Sequence, residues 1–163
     1  MTVVVADSGP LIHLSMIGQT ELLPDLYGQT LVPRAVYREV VEIGHGLPGS
    51  AELTNASWAE IVDQEESNPL YELLRAELDP GESAAILLAT SREADLLLID
   101  DRSARAAATR LNLRVKGTLG VLVEAKRKSR LKRVAPLLQG LQAQGMWLSP
   151  HLVDTVLRSV GES

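Results

Sequence analysis

The 163-residue sequence has no cysteine and no phenylalanine, and only three tyrosines and two tryptophans. Without cysteine there is neither a disulfide scaffold nor a thiolate metal centre. So few aromatic rings leave the core to Leu, Val, Ile and Ala, and argue against the stacked-ring platforms of single-strand binders. No apolar run approaches the roughly 18 residues that a bilayer span needs. Asp7 interrupts the first apolar run early, with no basic segment before it, which is unlike a secretory leader. A cytoplasmic protein with no membrane partner is expected. A P-loop, a Rossmann glycine fingerprint, HExxH and GxSxG are also missing, so nucleotide-binding and serine-hydrolase chemistry has no support.

What is present has the composition of an ordinary globular chain, 45% apolar and 23% charged. Its length suits one domain with a continuous core. The formal charge of −5 disfavours a phosphate-backbone partner. That charge is uneven, because KRKSRLKR at 126–133 holds six of the sixteen basic residues.

The chain is organised around its opening, TVVVADSGPLIHL. A β-branched run that stops at Asp7, Ser8 and Gly9, with a helix from Pro10, reads as a buried parallel strand handing over to a helix. Asp7 then lies at the carboxyl edge of a sheet, where open α/β folds bind ligands. A second helix ends at Gly28, and Leu31 and Val32 form a short strand. Pro33 to Ile43 reads as a helix buried along Val36, Val40 and Ile43. At about 100° per residue this stripe turns Glu39 inward and Glu42 to solvent. The stretch 44–57 reads as a surface loop, Trp58 to Val62 as a strand, DQEES as a solvated connection and Pro69 to Leu78 as a helix.

In DPGESAAILLATSREA, Asp79, Pro80 and Glu82 make an Asp version of the capping box. DLLLID at 95–100 is the second buried strand and ends in Asp100 and Asp101, followed by a helix with an Ala104, Ala107, Ala108 and Leu111 stripe. A strand at Leu113–Val115, a helix from Leu119 carrying the basic run, and two further helices complete the chain. The alternation predicts one domain, a three-layer α/β/α sandwich with a mostly parallel sheet, on which the helices of about 133–163 pack or extend. Right-handed crossovers would bring Asp7, Asp100 and Asp101 to one crevice.

Taken singly, each acid has an ordinary explanation: Asp7 as a turn residue, Glu82 as half of a capping box, Glu39 as a solvated helix acid, Asp100 as an N-cap. The basic run reads as a solvated face, and Arg102 and Arg105 as helix-surface residues. His13, His45 and His151 have no partners at metal-ligand spacing and read as packing or surface residues.

The pieces VVADSGPLIHL, VPRAVYREV, LDPGESAAILLA and LLLIDDRSARAAATRLNLRVKGTLGVL, in this order and spacing, resemble the PIN domain family of metal-dependent nucleases. The nearest likeness is to its toxin-antitoxin-related prokaryotic branch. The resemblance implies a Mg²⁺- or Mn²⁺-dependent endoribonuclease with Asp7, Glu39, Glu82, Asp100 and Asp101 as catalytic and metal-binding acids. It also implies a homodimer and a small antitoxin partner. Ser8 matches the small hydroxyl residue after the first aspartate, and Arg102, Arg105, Lys126, Arg127 and Lys128 are candidate contacts to RNA. Two departures stand out: Glu82 occupies a position more often Asp, and two aspartates stand where one is expected. The chemistry agrees, since hard cations take oxygen ligands and bound cations reverse the sign of an acidic site. Two other readings are a PIN-fold protein that binds nucleic acid or a partner without cleaving, and, more distantly, a phosphoacceptor receiver-like domain using Lys116.

Overall fold

The computed structural model describes residues 2–64 and 67–163. Among these, β1 (Val4–Ala6), β2 (Thr30–Pro33), β3 (Ala59–Val62), β4 (Leu96–Leu98) and β5 (Val115–Lys116) form one sheet in the order β3-β2-β1-β4-β5. Every pairing is parallel, so the sheet is wholly rather than mostly so. A parallel sheet needs both faces covered, and side-chain alternation meets that need. Val4 and Ala6 enter one core with Leu98, whereas Val5 enters the opposite core with Leu97 and Ile99.

The first core is closed by α1 (Ser8–Met16), α2 (Leu22–Tyr27), α3 (Arg34–Tyr37), α4 (Ser50–Thr54), α8 (Thr118–Arg127), α9 (Ala135–Ala143) and α10 (Pro150–Ser159). The second is closed by α5 (Pro69–Arg75), α6 (Pro80–Ser91) and α7 (Arg102–Arg110). Ala104, Ala107 and Ala108 are buried on α7 and keep that helix close to the sheet. The result is a three-layer α/β/α sandwich. Leu138 and Leu141 of α9 and Val156 of α10 share the core of β1.

The chain leaves β1 toward β2 and β3, then returns through α6 to β4 on the other side of β1. The strand order therefore reverses between β1 and β4. A crevice opens at the carboxyl ends of two strands at such a point, and here those ends are followed by Asp7 and by Asp100 and Asp101.

Several elements differ from the sequence reading. Helix α1 begins at Ser8, two residues before Pro10, because Asp7 itself holds the extended conformation that ends the strand (φ −84°, ψ 172°). Pro33 closes β2 and lies outside the helix. After α3 the helix widens to a π-helical stretch, Arg38–Ile43, with Gly44 N–H donating five residues back to Glu39 O at 2.9 Å. The wider turn breaks the expected stripe: Val40 is buried, but Ile43 is 83% exposed.

The expected loop at 44–57 contains α4, started by Gly49 in the left-handed region (φ 102°), with Glu52 Oε1 accepting from Gly49 N at 3.1 Å. The last strand is shifted to Val115–Lys116. Glu65 and Glu66 of the acidic connection lie outside the described residues.

Helix α9 lacks a capping side chain of its own. The Glu162 carboxylate stands in, accepting from Val134 N at 2.7 Å and Ala135 N at 3.0 Å. Lys126 Nζ lies 3.3 Å from the same group. Among the described residues, no helix is long and apolar enough to cross a membrane.

Candidate active site

Asp7 is the most constrained of the acids. Its N–H donates to Leu98 O at 2.9 Å, holding the end of β1 against β4. The side chain is 3% exposed, and among the described residues its Oδ1 has no hydrogen-bond partner. Burying an ionised, unpartnered carboxylate is expensive, and the group responds by holding its proton. Burial, partly opposed by the Ser8 amide and reinforced by the charges of Glu39, Asp79 and Glu82, pushes the Asp7 pKa up to about 8.

Glu39 comes to Asp7 from the π-helical stretch, and Gly81 leaves the room where they meet. A Cβ on Gly81 would stand 3.2 Å from Glu39 Oε1 and 3.6 Å from both Asp7 Oδ1 and Asp79 Oδ1. Carboxylates from three elements thus surround one small gap that a side chain would fill. Glu39 is half-buried while Glu42 is exposed, as the helical spacing predicted for this pair.

Asp79 and Glu82 form the capping box of α6: Glu82 N donates to Asp79 Oδ1 at 2.7 Å, and Asp79 N donates to Glu82 Oε1 at 3.2 Å. Burial, with the charges of Asp79, Asp101 and Glu39, raises the pKa of Glu82, and its bond from the Asp79 amide acts the other way. Glu82 therefore serves as cap and faces the other acids at once. Asp79 was legible only as a cap, and the signal for its second role was its distance of three residues from Glu82.

The adjacent aspartates diverge. Asp101 caps α7, its Oδ2 accepting from Ala104 N at 2.9 Å. Asp100 is held by a separate network: Oδ1 accepts from Thr118 N at 2.6 Å, and Oδ2 from Thr118 Oγ1 at 2.7 Å. His13 Nδ1 is also 2.6 Å from Oδ2. Burial alone would raise the Asp100 pKa, but the bonds from His13 and Thr118 outweigh it and hold the group below its usual range.

His13 is therefore not a mere packing or surface residue. The helical offset of six residues from Asp7 gave no hint of a partner just beyond β4. Two glycines make room for Asp100: a Cβ on Gly9 would be 3.1 Å from Asp100 Oδ2, and one on Gly117 2.8 Å from Oδ1.

The five predicted acids thus fall into two groups. Asp7, Glu39 and Glu82 cluster with Asp79, and Asp101 lies within electrostatic reach of Glu82. Asp100 is engaged elsewhere. Ser8 is half-buried at the start of α1, and Arg102 is exposed in the first turn of α7. Arg105 reaches Asp100's surroundings, its Nη1 being 2.9 Å from where a Gly117 Cβ would stand.

Lys126, Arg127 and Lys128 are not brought to the acids. They lie at the other end of α8 from Thr118, about 15 Å along the axis at the rise of a helix. Lys126 bonds Lys132 O and Lys128 pairs with Glu124 at 2.9 Å. Lys116, which the receiver-like reading would set near the acids, pairs with Glu124 at 2.7 Å.

Among the described residues, no three His, Asp or Glu side chains form a ready-made metal cage. The donors gathered around Gly81 are carboxylate oxygens alone. That set excludes the nitrogen and sulfur environment of zinc, and fits a hard cation that keeps its waters and takes one or two carboxylates. The unpartnered Oδ1 of Asp7 is such a donor. The sequence model of the PIN domain matches residues 3–162. No match is found among curated proteins.

Proposed function

The chain belongs to the PIN domain family, and on that premise we propose that it is a Mg²⁺- or Mn²⁺-dependent ribonuclease. The observation that carries this reading is the buried, unpartnered oxygen of Asp7, facing Glu39 at the carboxyl edge of the sheet. An unpaired buried carboxylate destabilises a fold, and a bound cation would relieve that cost.

Asp7 and Glu39 would hold the cation, with Glu82 and Asp79 adjoining. The cation supplies positive charge against the phosphodiester and lowers the pKa of water. Asp101 uses one oxygen for its cap and offers the other, so of the two aspartates it is the one assigned to this group. Asp100 acts as a positioning residue, fixing the start of α8 and the His13 ring against the end of β4. The Ser8 hydroxyl stands beside Asp7 at the start of α1.

The test combines catalysis with a readout independent of it. Mn²⁺ should stimulate cleavage of single-stranded RNA by the parent and raise its melting temperature, by an amount equivalent to about 2.7 kcal/mol at a hundredfold excess over Kd. Asp7→Asn should lose both responses and remain folded. Equal cleavage by that variant would refute the assignment. The competing reading, a PIN fold that binds without cleaving, draws on the lack of a preformed three-ligand cage. RNA binding in EDTA with no turnover in Mn²⁺ would favour it.

A further inference from the structure

Two furrows meet on the outer face of α8. The first, about 510 Å³, runs from Asp100 and Arg105 past Gly117 to Met146, Trp147 and Leu152. The second, about 450 Å³, continues along Val123, Glu124 and Val156 to Arg127 and Lys128. Lys116, Leu119 and Gly120 line both. Gly120 has a specific part in this surface. A Cβ there would stand 2.6 Å from Lys116 Cγ, so its absence lets the lysine stem lie across the helix.

The furrow has a charge of its own. In a chain of net charge −5, it gathers Arg105, Lys116, Arg127 and Lys128 against Asp100 and Glu124. Lys116 and Lys128 share the Glu124 carboxylate. Arg105 and Arg127 have no ion-pair partner among the described residues.

At the Asp100 end, Trp147 is 81% exposed and Leu152 is 40% exposed. A tryptophan left in water gains nothing from burial, yet it offers a large flat face. An apolar floor, a free ring and spaced cations suit a strand whose bases are unpaired and whose phosphates are evenly spaced. A duplex hides its base faces and would use only the cations. One ring cannot make a platform for successive bases, in keeping with the scarcity of aromatics, but it can hold one.

We propose that the joined furrow along α8 binds single-stranded RNA, one base stacking on Trp147 and an adjoining phosphate meeting Arg105. That RNA bound here is also the substrate rests on the nuclease reading; the binding does not. The furrow runs from the basic residues Arg127 and Lys128 to Asp100, beyond the end of β4.

The experiment is a titration of the full chain with a short single-stranded oligoribonucleotide in EDTA, followed by anisotropy of a label on the RNA and by tryptophan fluorescence. Binding should quench the parent's fluorescence, and Trp147→Phe should remove most of that quenching while binding within about twofold of the parent. Trp147→Leu should bind about tenfold more weakly, within the range for loss of one base stack. Arg105→Gln should flatten the dependence of log K on log salt by about 0.7, the value of one single-strand phosphate contact.

Unchanged affinity in both Trp147→Leu and Arg105→Gln would overturn the proposal. So would a dimeric parent that Trp147→Leu converts to monomer in sedimentation without loss of RNA affinity, because the face would then join two copies of the chain. Trp147-dependent binding without Mn²⁺-stimulated cleavage by the parent would uphold the furrow and remove the nuclease reading.

Discussion

Asp7 shows how one buried carboxyl ties the stability of a fold to pH. Its pKa rises from 3.8 in the unfolded chain to about 8 in the folded one, so between those values the folded protein retains a proton that the unfolded chain releases. Without metal, stability must therefore fall as pH rises through this window and level off above it. Asp7→Asn removes that dependence. In EDTA it should melt higher than the parent at pH 8, by on the order of 2–4 kcal/mol, and the difference should vanish toward pH 4. Thermal melts across pH measure this directly, and a parent as stable as the variant at pH 8 would show that Asp7 is ionised at little cost. Asp7 was legible in the sequence because a β-branched run stopped at it. Asp100's bonds to His13 and Thr118 were not, because they join residues 87 and 18 apart in sequence.

Elements carry the second kind of double duty. Asp101 caps α7 and Glu82 completes the capping box of α6, and cap and charge can be separated by substitution. Asn caps about as well as Asp, and Gln serves in a capping box as Glu does. Asp101→Asn should therefore melt within about 0.5 kcal/mol of the parent, whereas Asp101→Ala should cost about 1 kcal/mol. Denaturant unfolding distinguishes them; equal losses would mean that the charge, not the cap, supports α7. The helix starts were readable from such local chemistry, as at Asp79-Pro80. The π-helical stretch was not, since a run through Val36, Val40 and Ile43 fits an ordinary helix and only the unfavourable outward turn of Ile43 reveals the wider winding. Likewise α4 hid in a stretch rich in turn formers, and its Gly49–Glu52 cap lacks the side chain that usually marks a start.

At the scale of the molecule, layering and sheet direction were legible from alternation alone, because two apolar strands followed by helices admit few arrangements. The distribution of work between the two sides of the sheet was not. It rests on the C-terminal helices, whose position depends on Glu162 accepting from the first amides of α9. Since α9 borrows its N-terminal carboxylate from beyond α10, opening either helix breaks the bonds that tie it to the other. The two should open as one unit in hydrogen exchange. Glu162→Ala should speed exchange at Val134, Ala135 and the amides of α9 and α10 together, by about tenfold or more, with β1 and β4 unchanged. Acceleration spread evenly over the sheet would contradict this. Such an opening would carry away Met146, Trp147 and Leu152, one wall of the α8 furrow, and leave Asp7 and Glu39 in place. The clasp at Glu162 would then govern how often the wall of the α8 furrow is complete, at a rate independent of the acid cluster.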